Sequence, residues 1–113
     1  MVRRKMIVSL MIVTLLTACG NVVGSHAFYV VLDHIEEALE QSDWDQLDQY
    51  ASQFEETYAQ NKWKLQLIGD EGEYEGLYES IQKLIAGVKE KDSTIVRLEL
   101  ASARALVSDI YSL

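Results

Sequence analysis

The chain predicts an all-α protein, an antiparallel up-down-up-down four-helix bundle that follows a cleaved signal peptide. Three observations lead there. Apolar residues recur at alternating spacings of three and four in four separate stretches, short polar segments join those stretches, and no stretch carries a strand signal. A chain of 113 residues permits one small domain. The expected organisation is a signal peptide over residues 1–18, a tether over 19–25 and a helical domain over 26–113.

The leader comes first. Met1 to Lys5 carries Arg3, Arg4 and Lys5, Met6 to Leu16 is an eleven-residue apolar run broken only by Ser9 and Thr14, and Leu16-Thr17-Ala18-Cys19 follows directly. Eleven residues are too few to span a bilayer, which takes about 20, and fit a signal-peptide core of roughly 7 to 15. This segment resembles a bacterial lipoprotein signal peptide with its lipobox. The resemblance implies cleavage between Ala18 and Cys19, a diacylglyceryl thioether on Cys19, and a mature chain of 95 residues that begins at the acylated Cys19. Thr17 and Ala18, small residues ahead of the sole cysteine, distinguish it from an uncleaved signal anchor. Two acyl chains, at about 0.8 kcal/mol per buried methylene, hold a protein stably where one gives only marginal binding. The expected location is therefore the extracytoplasmic face of a cell membrane, with the lipid bilayer as a partner through acylated Cys19. With Cys19 consumed by lipid, disulfides, thiol catalysis and cysteine metal sites are excluded.

The stripes follow in order. Phe28, Val31, Ile35 and Ala38, widened by Leu32 and Leu39, predict a first helix ending near Gln41. Ser42 is the expected N-cap of the second, with Asp45 three residues on, and its stripe runs Trp44, Leu47, Ala51, Phe54, Tyr58, Asn61, Leu65, Ile68. That makes a helix of roughly 26 residues, about 39 Å long. The first two stripes are out of heptad phase by two residues, so the chain reverses around Ser42 and Asp43. Gly69-Asp70-Glu71-Gly72 is the next loop, with acids suited to a helix start. Tyr74, Leu77, Ile81, Leu84 and Val88, flanked by Tyr78 and Ile85, form the third stripe, and Lys89 and Lys91 suit its C-terminus. Asp92 or Ser93 caps a fourth helix with the stripe Val96, Leu100, Ala103, Val107, Ile110, broadened by Ile95, Leu106 and Leu113. Ala101, Ser102, Ala103 and Ala105 are small enough to admit a close neighbour. The two halves look alike, since Gln41-Ser42-Asp43 and Lys91-Asp92-Ser93 both form acidic reversals about fifty residues apart.

Ile35-Glu36-Glu37-Ala38 through Asp43-Trp44 to Trp63, then Leu67-Ile68 with acids before Tyr74, then Lys89-Glu90-Lys91-Asp92 and a last helix, resemble domain-of-unknown-function family 4363 over roughly Phe28 to Leu113. The resemblance implies a small, acidic, helical bacterial protein in a membrane-surface setting, and it transfers no catalytic residues. Members more often look anchored by an N-terminal membrane helix, whereas this chain has the lipobox. The Asp-His pair the resemblance leads one to expect near Gly69-Asp70-Glu71 is absent.

Charge narrows the function. Eighteen acidic and ten basic side chains give a net charge of −8, and from Cys19 onward seven basic residues leave −11. Such a domain has no basic footprint for nucleic acid, and a polybasic surface cannot be what attaches it to lipid. No catalytic, cofactor-binding or metal site is expected. His26 and His34 are eight residues apart, not the four of a helical zinc pair, and read as surface histidines. Asp70, Glu71, Glu73 and Glu75 offer oxygen ligands to a hard cation but lack the order of an EF-hand loop, and a solvated helix start explains them. Trp44, Phe54, Tyr58 and Tyr74 sit on stripes as core. Tyr50 and Trp63 lie off the stripe and are the candidate contact surface. Asn61, polar on its stripe, fixes register or marks a wet spot near the bundle end. The leading expectation is a non-enzymatic interaction or adaptor module that docks on a membrane or envelope protein. A ligand- or cation-binding helical module is the alternative, and an enzyme would need an acid/base pair that no feature here demands.

Overall fold

The computed structural model describes residues 24–112, which form four helices: α1 (Ser25–Glu40), α2 (Trp44–Ile68), α3 (Glu71–Lys89) and α4 (Ser93–Tyr111). Each helix packs on its two neighbours in the ring α1, α2, α3, α4, with slight diagonal contact between α2 and α4 and the largest contact between α3 and α4. Short connections between successive neighbours make this the antiparallel four-helix bundle that the stripes predict. α1 starts at Ser25, the last residue of the expected tether, so His26 lies in its first turn.

Two of the three turns share one construction. After α1, Ser42 adopts φ +52°, its N–H donates to the Leu39 carbonyl at 3.1 Å, and the Asp43 N–H donates to the Ala38 carbonyl at 2.9 Å. After α3, Lys91 adopts φ +51°, its N–H donates to the Val88 carbonyl at 3.1 Å, and the Asp92 N–H donates to the Gly87 carbonyl at 2.9 Å. Both are Schellman turns with a non-glycine residue in the left-handed position. In both, the next residue is an aspartate that caps the following helix: Asp43 accepts from the Gln46 N–H, and Asp92 from those of Thr94 and Ile95. Asp43, not Ser42, is therefore the N-cap of α2, because Ser42 is occupied in reversing the chain. The equivalent triplets are Gln41-Ser42-Asp43 and Glu90-Lys91-Asp92, one residue earlier in the second half than the sequence comparison places it.

The third turn is different. Gly69 is extended, and Asp70 opens α3 with a full capping box: its carboxylate accepts from the Glu73 N–H at 2.8 Å, and the Glu73 carboxylate accepts from the Asp70 N–H at 3.0 Å.

Every α1 stripe residue is buried, as are Leu47, Ala51, Phe54, Tyr58, Asn61 and Leu65 of α2. Leu77, Ile81, Leu84 and Val88 of α3 meet Val96, Leu100, Ala103, Val107 and Ile110 of α4 in the same core. The close approach of α3 to α4 depends on Gly87, where a Cβ would stand 2.8 Å from an Ile95 methyl. Of the four small α4 residues, Ala103 is buried, Ser102 shares a 3.1 Å hydrogen bond with buried Ser80, and Ala101 and Ala105 face outward. Arg104 closes the ring by donating to Asp33 at 2.9 Å and Glu36 at 2.7 Å on α1. These pairs are solvent-exposed, worth about 0.2–1 kcal/mol each.

Candidate functional site

The topology sorts the chemistry onto two ends. The α1–α2 and α3–α4 turns share one end, where Lys91 joins Gln41, Ser42, Asp43, Trp44 and Asp45 around a shallow, polar depression. At the other end, Gly24, the Gly69 turn and the C-terminus of α4 come together. Gly69 packs against Ile110, and Gly24 packs against Asn61 with Tyr111 close by.

Gly24 carries the local requirement here. Its φ of +76° is left-handed, and a Cβ would fall 2.6 Å from the Asn61 carboxamide oxygen. Asn61 is buried, and its amide donates to the Thr57 carbonyl at 2.8 Å. Asn61, the polar member of its stripe near a bundle end, is thus buried beneath Gly24, the N-cap of α1. Beside it the Tyr111 hydroxyl is buried without a hydrogen-bond partner among the described residues. Burial, reinforced by Tyr29, pushes the Tyr111 phenol up to about 12.

A second feature lies between α2 and α3. Tyr58, Tyr74, Tyr78, Lys62, Gln66, Glu75 and Glu79 line an open groove of about 440 Å³. The Tyr58 hydroxyl donates to the Tyr74 carbonyl at 3.0 Å, and its ring lies 5.5 Å from that of Tyr78. Burial raises the Tyr58 phenol, with Tyr74, Glu75 and Tyr78 adding to the shift, so this hydroxyl stays a neutral donor. Polar groups at the rim over aromatic walls form a surface that could hold a small ligand.

The candidate contact residues separate. Trp63 is 57% exposed on the outer face of α2, with the Lys64 ammonium 5.5 Å from its ring centroid. Tyr50 is half-buried instead, packed against the core and stacked on His34 with centroids 4.9 Å apart. His34 is accordingly a half-buried ring rather than a surface histidine, and its Nδ1 is enclosed without a partner among the described residues. Leu67, one turn beyond Trp63 and likewise off the stripe, is 76% exposed.

Asp70 and Glu73 are engaged in the capping box, and among the described residues no group of three or more His, Cys, Asp or Glu side chains converges to hold a metal ion. Among those residues no helix is long and apolar enough to cross a membrane. Ala18 and Cys19, the expected cleavage and lipid-attachment residues, lie outside the described residues, as do the rest of the signal peptide and Leu113.

No curated protein and no solved structure matches the chain. The model of the domain of unknown function DUF4363 matches residues 24–113, from the glycine that opens the bundle through its last helix. A match over the whole helical bundle places this chain in the DUF4363 family.

Proposed function

We propose that the protein is a membrane-anchored lipoprotein whose bundle is a non-catalytic interaction module on the extracytoplasmic face, held by acyl chains on Cys19. The observation that carries this reading is the run Leu16-Thr17-Ala18-Cys19 behind a short apolar core, five residues ahead of the point where the bundle begins. The tether from Cys19 to Gly24 reaches about 17 Å at most, at up to 3.5 Å per residue. Such a tether keeps the end bearing Gly24, Asn61 and Tyr111 near the bilayer and presents the twin-turn end outward. The acidic helix faces suit a docking partner with a basic surface.

The test is in-cell crosslinking of the full-length chain, followed by detergent extraction and mass spectrometry, with Cys19→Ser as control. A stoichiometric membrane or envelope protein that disappears with Cys19→Ser supports the adaptor reading. Processing and membrane attachment unchanged in that variant would remove the lipoprotein claim.

The groove of Tyr58, Tyr74 and Tyr78 favours a second reading, a small-ligand module at the membrane surface. A ligand at about 100 times its Kd stabilises the folded state by about 2.7 kcal/mol, so a clear rise in Tm on ligand screening would separate this reading from the first.

A further inference from the structure

Trp63 and Leu67 lie one turn apart on the outer face of α2, opposite the buried Phe54, Tyr58 and Leu65, and they are its two large apolar side chains turned to solvent. Lys62 flanks them on the side of the α3 groove, and Lys64 folds over the indole. We propose that Trp63 and Leu67, framed by Lys62 and Lys64, form a membrane seat that lies in the headgroup layer of the bilayer beside the acylated Cys19. This inference rests on the anchor reading above for its occupant, and on the position of the patch for its geometry.

Gly24 abuts Asn61, two residues before Trp63, and α2 runs on from there to Ile68. Trp63 therefore stands about 3 Å and Leu67 about 9 Å beyond the level at which the tether leaves the bundle, at 1.5 Å per residue. With the tether reaching about 17 Å at most, a lipid surface holding Cys19 lies within touching distance of this stretch of α2. Trp63 is five residues from the end of α2, about 7.5 Å, which is comparable to one interfacial layer of a bilayer, about 5–8 Å. Tryptophan favours that layer, where its ring is sheltered and its N–H stays wet, and lysines beside it can meet phosphates. Asp70, Glu71 and Glu73 share this end and oppose anionic lipid, so the apolar pair carries the seat and zwitterionic lipid suffices.

The sequence supplies its own ruler, because Trp44 and Trp63 are its two tryptophans and sit about 28 Å apart along α2. The experiment uses the full chain, extracted from bacterial membranes and reconstituted into phosphatidylcholine vesicles brominated on the acyl carbons nearest the headgroup. Trp44→Phe leaves Trp63 as the sole reporter, and Trp63→Phe leaves Trp44. Far-UV helicity checks that both variants fold. The expected result is loss of roughly half or more of the Trp63 emission and less than about a tenth of the Trp44 emission, with Leu67→Asp reducing the former. Equal, small losses from both tryptophans would overturn the seat. Incorporation of labelled palmitate at Cys19 reads the anchor separately. A labelled chain with an unquenched Trp63 keeps the anchor and overturns the seat, a result that would point to a protein partner on this face. An unlabelled chain with a quenched Trp63 supports the seat and overturns the anchor.

Discussion

The two ends of the bundle are built by different means. At one end the α1–α2 and α3–α4 turns repeat the same hydrogen bonds and the same left-handed position, each followed by an aspartate cap that accepts from the first turn of the next helix. At the other end the α2–α3 turn has a capping box of its own, α1 opens on a left-handed glycine, a buried asparagine lies beneath that glycine, and a tyrosine hydroxyl has no hydrogen-bond partner among the described residues. The repeated end closes both of its turns with one backbone motif. The irregular end holds the buried Asn61, the left-handed Gly24 and the exposed Trp63 and Leu67.

Substitutions can break or sharpen this contrast. Phe54 lies in the core shared by both ends, so Phe54→Asp places an unpaired charge there and should abolish far-UV helicity, a cost above about 4 kcal/mol. A stable, fully helical Phe54→Asp protein would mean that the apolar face of α2 is misassigned. Gly24→Ala attacks the irregular end alone. Left-handed strain and the close Asn61 oxygen should cost about 2 kcal/mol in chemical denaturation, with the twin-turn end unaffected by amide hydrogen exchange.

Alkaline pH should also act on the irregular end. The Tyr111 phenol is held up to about 12 in the folded chain, whereas the unfolded chain releases that proton near 10. The folded state therefore binds more protons in this window, and its stability is intact below about pH 10 and falls as the pH rises towards about 12. Tyr111→Phe should weaken that fall in thermal melts taken between pH 9 and 11. At pH 7 the same variant should melt close to the parent, because the hydroxyl it removes has no partner among the described residues. Smallest of all, Ser42→Gly and Lys91→Gly should each raise stability by about 0.5–1 kcal/mol by relieving the left-handed backbone. Equal gains at the two positions would confirm that the turns are equivalent, and a gain at one only would break the repeat.

The regular features were legible in the sequence because they follow from period. Stripes from Phe28 to Ala38 and from Val96 to Ile110 mark buried faces directly, since helix geometry maps spacing onto burial. Asn61 was legible as an exception to its stripe. The left-handed Ser42 and Lys91 were not, because neither is the glycine that usually marks such a position, and the backbone bonds that hold them leave no trace in side-chain type. Gly87 at the α3–α4 crossing and the stacking of His34 on Tyr50 depend on which helix is the neighbour, which spacing within one helix does not encode. Trp63 stood out as off its stripe, but its level relative to Gly24 emerges only when α1 and α2 are placed side by side.

We propose that the irregular end faces a bilayer through a lipidated Cys19. Intact-mass spectrometry of the full chain extracted from bacterial membranes tests it most directly. The expected chain has lost Met1 to Ala18 and gained the mass of a diacylglyceryl group on Cys19, with or without a further acyl chain on its amine. A chain that still begins at Met1, or one that carries a free Cys19 thiol, would contradict it.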